Sequence, residues 1–234
     1  MAPLDLSRPE QIPPIIQRIE SELSARGAPG LYAIVNNAGG GAVAPIELLD
    51  LPELRAELET RIVAPITLIQ ALLPSLRKAG GRIVWIATPS LMPIPFVSSI
   101  HACDFAANCI SRTLAIELAP WNIPSLFVRC GGIRTAAPDK ESRELKMAMA
   151  RWPEDRVRLY RRTLEAEMET LATFDTKRSD PMVIAFKVAE ALRAARPKRV
   201  YRAGHMARLA AVLELLPQPV VDAILRRRAR HPSP

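Results

Sequence analysis

The stretch Leu31-Tyr-Ala-Ile-Val-Asn-Asn-Ala-Gly39 decides the fold of this chain. Its apolar part, 31–36, is too brief for a helix and lies between glycines, Gly27 and Gly30 before it and Gly39-Gly-Gly41 after it. It therefore reads as a buried strand of a parallel sheet. Upstream, Ile12, Ile15, Ile16, Ile19 and Leu23 recur at helical spacing between charges, which predicts a helix over 8–26 starting near Pro9. Downstream, a long helical pattern fills 51–78, bent at Pro65 and stopped by Ala79-Gly-Gly81, and Arg82-Ile-Val-Trp-Ile-Ala87 is the next strand. After a turn containing Pro89, Pro93 and Pro95, a helix runs from about Ser99 to Leu118 and ends at Pro120; Ser125-Leu-Phe-Val-Arg-Cys130 follows as a strand. A charged helical segment then covers 139–172, a helix starts at Asp180-Pro181, a short strand occupies 198–202, and one or two helices close the chain. Strands alternating with helices of this length imply right-handed βαβ crossovers and an α/β fold: a parallel sheet of the doubly wound class with about four strands.

Composition narrows the class. At 234 residues and 49% apolar, the chain fits one soluble globular domain, 1–234. Cys103, Cys109 and Cys130 form neither a CxxC pair nor an even framework, so they read as ordinary buried thiols in a reducing compartment, with no metal site. The N-terminus has no basic region followed by an apolar one, and no run of eighteen apolar residues occurs, which predicts a cytoplasmic protein. The net charge of +8 does not imply nucleic acid, because Arg151, Arg156, Arg158, Arg161 and Arg162 alternate with Glu154, Asp155, Glu165 and Glu167 as on a solvated helix. Arg226-Arg-Arg228 and Arg230, behind the apolar run of a helical, basic 205–234 tail, fit either peripheral contact with an anionic membrane or a solvated helix end.

Five motifs stand in order: Asn36-Asn-Ala-Gly39; Ala71-Leu-Leu-Pro-Ser-Leu-Arg-Lys78 with Gly81-Arg-Ile-Val84; Leu114-Ala-Ile-Glu-Leu-Ala-Pro-Trp121; Gly131-Gly-Ile-Arg-Thr135; and Arg196-Pro-Lys-Arg-Val-Tyr-Arg-Ala-Gly204. Together they resemble the short-chain dehydrogenase/reductase family across nearly the whole chain, and its 17β-hydroxysteroid and retinol dehydrogenase branch in particular. The resemblance implies a Rossmann-like sheet and NAD(P)-dependent interconversion of alcohols and ketones. It places Leu4-Asp5-Leu6-Ser7 at the end of the family's third strand, so the first βαβαβ unit with its glycine-rich phosphate turn is absent, and the strand at 31–36 is expected to have an open edge. Residual cofactor-side positions would be Asn37, Ala38, Gly39, Gly131, Ile133 and Thr135. NAD(P) is expected only if an N-terminal part exists; none is expected in this chain alone.

The family's relay of Asn, Ser, Tyr and Lys, in which the Tyr moves a proton with its pKa lowered by the Lys ammonium, maps onto Arg61, Ala87 or Thr88, Ile100 and Asp104. Ile cannot transfer a proton, and Asp reverses the charge that would hold a phenolate. His101 and Asp104, three apart on a helix, could form a general-base dyad; equally, His101 is a polar residue at a helix start and Asp104 the partner of an arginine. Thr88 is a surviving hydroxyl or a strand-end hydrogen bond. Tyr32, Tyr160 and Tyr201 fit packing roles. Three functions follow: a degenerate, non-redox member acting by binding or interaction; an oxidoreductase of lipophilic steroid- or retinoid-like alcohols with an incomplete N-terminus; and a repurposed enzyme using His101, Asp104 or Thr88. Residues 139–195 match the family's substrate lid, and the Leu, Met and Ala residues between the charges of 139–172 fit either an apolar small-molecule pocket or a helix packing on the core. The helices at 51–78 and 99–118 match its homodimer contact, and a partner chain covering the open edge is the other expected interaction.

Overall fold

A computed structural model of the chain describes residues 4–173 and 177–229. Four strands, β1 (Ala33–Asn36), β2 (Arg82–Ala87), β3 (Ser125–Cys130) and β4 (Val200–Ala203), form one parallel sheet in the order β1-β2-β3-β4. Alternation sorts the side chains of β2: Ile83, Trp85 and Ala87 face one layer of helices and Val84 and Ile86 the other. The first layer holds α3 (Ala64–Ala79) and α4 (Ser98–Glu117), which bury Ile69, Leu76 and Ala107 with Phe127 of β3. The second is α7 (Met182–Arg193), whose Ala191, Ile184 and Val188 cover Leu126 and Val128. Runs of buried residues such as Ile83-Val-Trp85 are what covering both faces of a sheet demands. The fold matches the α/β, Rossmann-like expectation.

At the other end, β1 is paired along one edge only among the described residues, and Val35 there is 40% exposed. The expected strand at Leu4–Ser7 is instead a turn. Asp5 Oδ1 accepts the Ser7 N–H at 3.0 Å and the Ser7 hydroxyl at 2.6 Å, a local closure that replaces strand pairing among the described residues. It leads through Pro9–Gln11 into α1 (Ile12–Ala25), which lies against α3. Gly30 does more than end α1: a Cβ there would fall against the Ser75 carbonyl, so glycine lets the chain pass α3 closely.

The 51–78 pattern resolves into α2 (Leu51–Leu58), a π-helical turn over Glu59–Val63, and α3. Pro65 has no N–H to give the Arg61 carbonyl, and the Ala64 N–H reaches back to Glu59, which widens the turn. By length and composition Leu51–Ala79 could cross a membrane, but Ile69, Leu72 and Leu76 are spent on the core. The single charged segment expected over 139–172 is two helices, α5 (Ala137–Arg151) and α6 (Glu154–Thr173), because Pro153 interrupts the backbone ladder between them. Leu145 of α5 and Leu164 of α6 close a satellite core over Val43, with Phe96 and Trp152 packed around it. After β4 come α8 (Ala207–Leu213) and α9 (Gln218–Ala229). Arg230, one of the four tail arginines, lies outside the described residues, as do Met1–Pro3.

Candidate functional site

The side chains of Arg61, Thr88 and Asp104, three of the positions that the resemblance matched to the family's relay, meet in one charged network at the C-terminal end of β2. The π turn aims Arg61 inward, Thr88 directly follows β2, and the first turns of α4 bring Ile100 and Asp104 across from both. Arg61 Nη2 donates to Asp104 Oδ1, and Asp104 Oδ2 accepts both the Thr88 hydroxyl and, at 3.0 Å, the Thr88 N–H. Arg61 Nη1 also reaches Glu57 Oε1 at 3.2 Å, the Gly40 carbonyl at 3.3 Å and the Ile100 carbonyl at 3.4 Å. The Asp104 side chain is 1% exposed, Glu57 7% and Arg61 12%, so this is a buried ion-pair network rather than a surface one. Burial is the largest influence on Glu57 and pushes its carboxyl above the usual range, with Arg61 pulling the other way.

Ile100 sends its side chain against Gly41, where a Cβ would collide with Cγ1 and lie 2.6 Å from Glu57 Oε1. It offers no proton. Ala87, the other position considered for the family serine, is a buried core residue, so Thr88 is the hydroxyl present at the network. The proposed dyad is not formed. His101 is buried on the same helix, but its Nδ1 has no hydrogen-bond partner among the described residues, and both oxygens of Asp104 are taken by Arg61 and Thr88. Burial lowers the His101 pKa, opposed by the Asp104 charge, so the ring favours its neutral form. The reading of Asp104 as an arginine partner and of Thr88 as a strand-end hydrogen bond describes what the site contains.

The remaining residues scatter. Asn37, Ala38 and Gly39 are exposed beyond β1, with the Arg61 side chain 3.2 Å from where a Gly39 Cβ would stand. Gly131 packs under His205, whose carbonyl occupies the space of a Cβ; Ile133 bridges to Ser179; Thr135 Oγ1 accepts the Ala137 N–H at 3.3 Å. Tyr32 is half exposed, and its hydroxyl donates to the Leu192 carbonyl; Tyr160 donates to Glu47; Tyr201 is buried and its oxygen accepts the Lys198 N–H. Of the cysteines, Cys103 is buried and Cys130 half-buried, but Cys109 lies exposed on α4, contrary to the expectation of three buried thiols, because its helical position faces away from the sheet. Glu57 is the network member the sequence reading missed, although its i, i+4 spacing from Arg61 was the available signal.

Beside the network lies a cavity of about 760 Å³, between the Gly40–Ala44 loop, α2 and α5. Val43, Leu48, Leu145 and Trp152 form its apolar part, while Asp50, Glu53, Glu57, Arg61, Glu141, Glu144 and Arg151 put charges along the rest of its lining. Its size is that of a small-molecule pocket. Thr88, Ile100, His101 and Asp104 do not line it. No cluster of three or more His, Cys, Asp or Glu side chains suited to a metal occurs among the described residues.

Residues 1–146 match the family model described as short chain dehydrogenase, and the chain belongs to that family. It is 26% identical over 208 residues to 11-beta-hydroxysteroid dehydrogenase type 2 of Homo sapiens, covering 86% of this chain and 51% of that protein. It is 28% identical over 229 residues to retinol dehydrogenase 5 of Mus musculus, covering 95% and 71%. The chain thus spans about half the length of the 11-beta-hydroxysteroid dehydrogenases it matches. Among solved structures, a short-chain dehydrogenase from Streptomyces avermitilis superposes with a TM-score of 0.69 at 23% identity, over 97% of this chain and 76% of that one. One from Burkholderia cenocepacia J2315 in complex with NADP gives 0.65 at 20% identity, over 96% and 80%.

A dinucleotide is plausible for this family, and the residues of this chain can be tested against it. At the nicotinamide end they do not fit. At the positions that the resemblance assigns to the family's Lys and Tyr, this chain has the buried Asp104 carboxylate, already bonded to Arg61 and Thr88, and Ile100, neither of which supplies an ammonium or a phenol.

Proposed function

We propose that this chain is a ligand-binding member of the short-chain dehydrogenase family, taking a lipophilic alcohol or ketone of steroid or retinoid size without turning it over. The observation that supports the reading is the commitment of both Asp104 oxygens to Arg61 and Thr88, beside Ile100, at the positions that the resemblance assigns to the family's Lys and Tyr. The volume of the neighbouring cavity and its apolar part at Val43, Leu48, Leu145 and Trp152 support a small lipophilic ligand, with the surrounding charged side chains available to its polar groups. Retinol fluorescence and equilibrium binding of a radiolabelled steroid test it: saturable binding weakened by Trp152→Ala, with no product formed in the presence of NADH, NADPH or their oxidised forms, is the expected result. Quenching or enhancement of NADPH fluorescence at micromolar protein, accompanied by turnover, would overturn it.

The second reading, an active oxidoreductase of lipophilic alcohols, is favoured by a specific finding: the similarity to a hydroxysteroid and a retinol dehydrogenase runs over 86% and 95% of the chain. It requires turnover of such an alcohol with an added dinucleotide. A homodimer is part of the proposal in either case, supported by exposed Leu58, Val63, Phe105 and Ile116 on the helices expected to form it. A sedimentation mass of one chain would remove that part.

A further inference from the structure

The charge of this molecule is polarised along its sequence. Residues 1–181 hold twenty-one arginines and lysines and twenty-one acids, so the whole net charge of +8 lies beyond residue 181. Within that region Lys187 of α7, Arg202 of β4 and Arg208 of α8 line one depression of about 390 Å³, together with Met206 and Leu209. Two of the cations have partial partners: Lys187 bonds Glu190, and Arg202 Nη2 bonds Glu214 at 2.8 Å. Glu214 also accepts the Leu91 N–H, and the Arg202 Nε is buried with no partner among the described residues. Arg208 is exposed and makes no ion pair among them.

Around this depression apolar side chains face outward. Ala207 and Ala210 turn α8 to the body of the protein, while Met206, Leu209, Val212 and Leu215 recur every third residue with exposures of 45%, 48%, 58% and 83%. On α9 Val221 is buried, whereas Val220 and Ile224 are exposed ahead of Arg226. An exposed apolar row beside basic side chains matches a surface that is anionic at its headgroups and apolar just beneath them. A nucleic acid would match the charge but give Leu215 and Val212 nothing to bury against.

From this juxtaposition we propose that α8, α9 and the depression at Lys187, Arg202 and Arg208 form a peripheral docking surface for anionic lipid membranes. Lipid phosphate takes the depression, and Leu209, Val212 and Leu215 enter the headgroup boundary. The surface is separate from the cavity beside Arg61, so its test is read without ligand or dinucleotide and stands or falls apart from the function proposed above.

The experiment is vesicle flotation of the full chain, with phosphatidylcholine vesicles carrying either no phosphatidylserine or about 30% of it, at about 0.1 M salt. Capture by the serine-containing vesicles alone, lost at high salt, is expected. Arg208→Glu should lower the partition coefficient at least about fivefold, the factor for one surface cation. Leu209→Glu/Leu215→Glu should lower it further, with circular dichroism confirming that both variants fold. Absence of capture, equal capture by both vesicle types, or capture unchanged in the leucine variant would overturn the proposal. So would a dimer in vesicle-free solution that Leu209→Glu/Leu215→Glu dissociates, which would make this face a subunit interface, or RNA binding that outcompetes the vesicles.

Discussion

Asp104→Ala is the perturbation whose cost the site geometry fixes best. The lost carboxylate accepts from Arg61 through one oxygen and from the Thr88 hydroxyl and N–H through the other, while itself 1% exposed. Without it the Arg61 guanidinium, 12% exposed, keeps Glu57 and two carbonyl oxygens at 3.2 to 3.4 Å, and the Thr88 N–H loses its acceptor. Breaking a buried ion pair by removing one partner costs about 3–5 kcal/mol. A stranded backbone donor adds about 1 kcal/mol, and the surviving Glu57 contact offsets a similar amount. The expected loss is therefore about 3–5 kcal/mol, and with a urea slope of about 2–3 kcal/mol/M the midpoint falls by roughly 1–2.5 M. Urea denaturation at pH 7, followed by far-UV circular dichroism and by tryptophan fluorescence reporting the buried Trp85, measures it. The triple variant Glu57→Gln/Arg61→Met/Asp104→Leu, with no charge left in the network, should recover most of the loss, since an apolar replacement of a buried pair is often neutral. An Asp104→Ala protein within about 1 kcal/mol of the parent would refute the reasoning, because a buried guanidinium cannot lose its main counter-ion so cheaply.

Three further outcomes follow from the same geometry. His101 has a folded-state pKa below its ordinary value, so the unfolded chain binds the extra proton: stability should fall as pH drops through about 6.5, and His101→Gln should remove that part of the slope between about pH 7.5 and 5.5, as chemical denaturation across the range will show. Thiol titration at pH 8 should modify exposed Cys109 first, with Cys103, pushed up to about 11, and Cys130, pushed up to about 12, reacting only on unfolding; simultaneous reaction of all three would contradict the packing. Gly41→Ala drives a methyl into Ile100 and Glu57 and should cost about 1–3 kcal/mol, with Ile100→Ala in the same chain relieving it, a pairwise rescue that thermal melts can score.

Much of the scaffold was legible because it is written locally. The runs at 31–36, 82–87 and 125–130 are continuous apolar stretches bounded by turn residues, and each is a strand within two residues of its expected limits. Prolines were legible as interruptions but not in their effect: Pro65 produces a π turn and Pro153 a break between two helices. The turn at Leu4–Ser7 was missed because a strand pattern needs a neighbour to pair with, and a two-residue Asx bond forms without one. At the candidate site the identities of residues 61, 88, 100 and 104 could be read from motif order, but not what they do to one another.

By itself, then, the sequence determined the parallel sheet, the family, and the presence of Ile100 and Asp104 in the motif that the resemblance singles out, since these are properties of residue type and short-range order. Tertiary structure decided that Asp104 serves Arg61 and Thr88 instead of His101. Those partners lie 43 and 16 residues away, and only the crossovers from β1 through α3 to β2 and α4 bring them within hydrogen-bond reach. It also decided that the apolar positions of α8 and α9 face solvent beside Lys187, Arg202 and Arg208, because which side of a helix is buried depends on what packs against it.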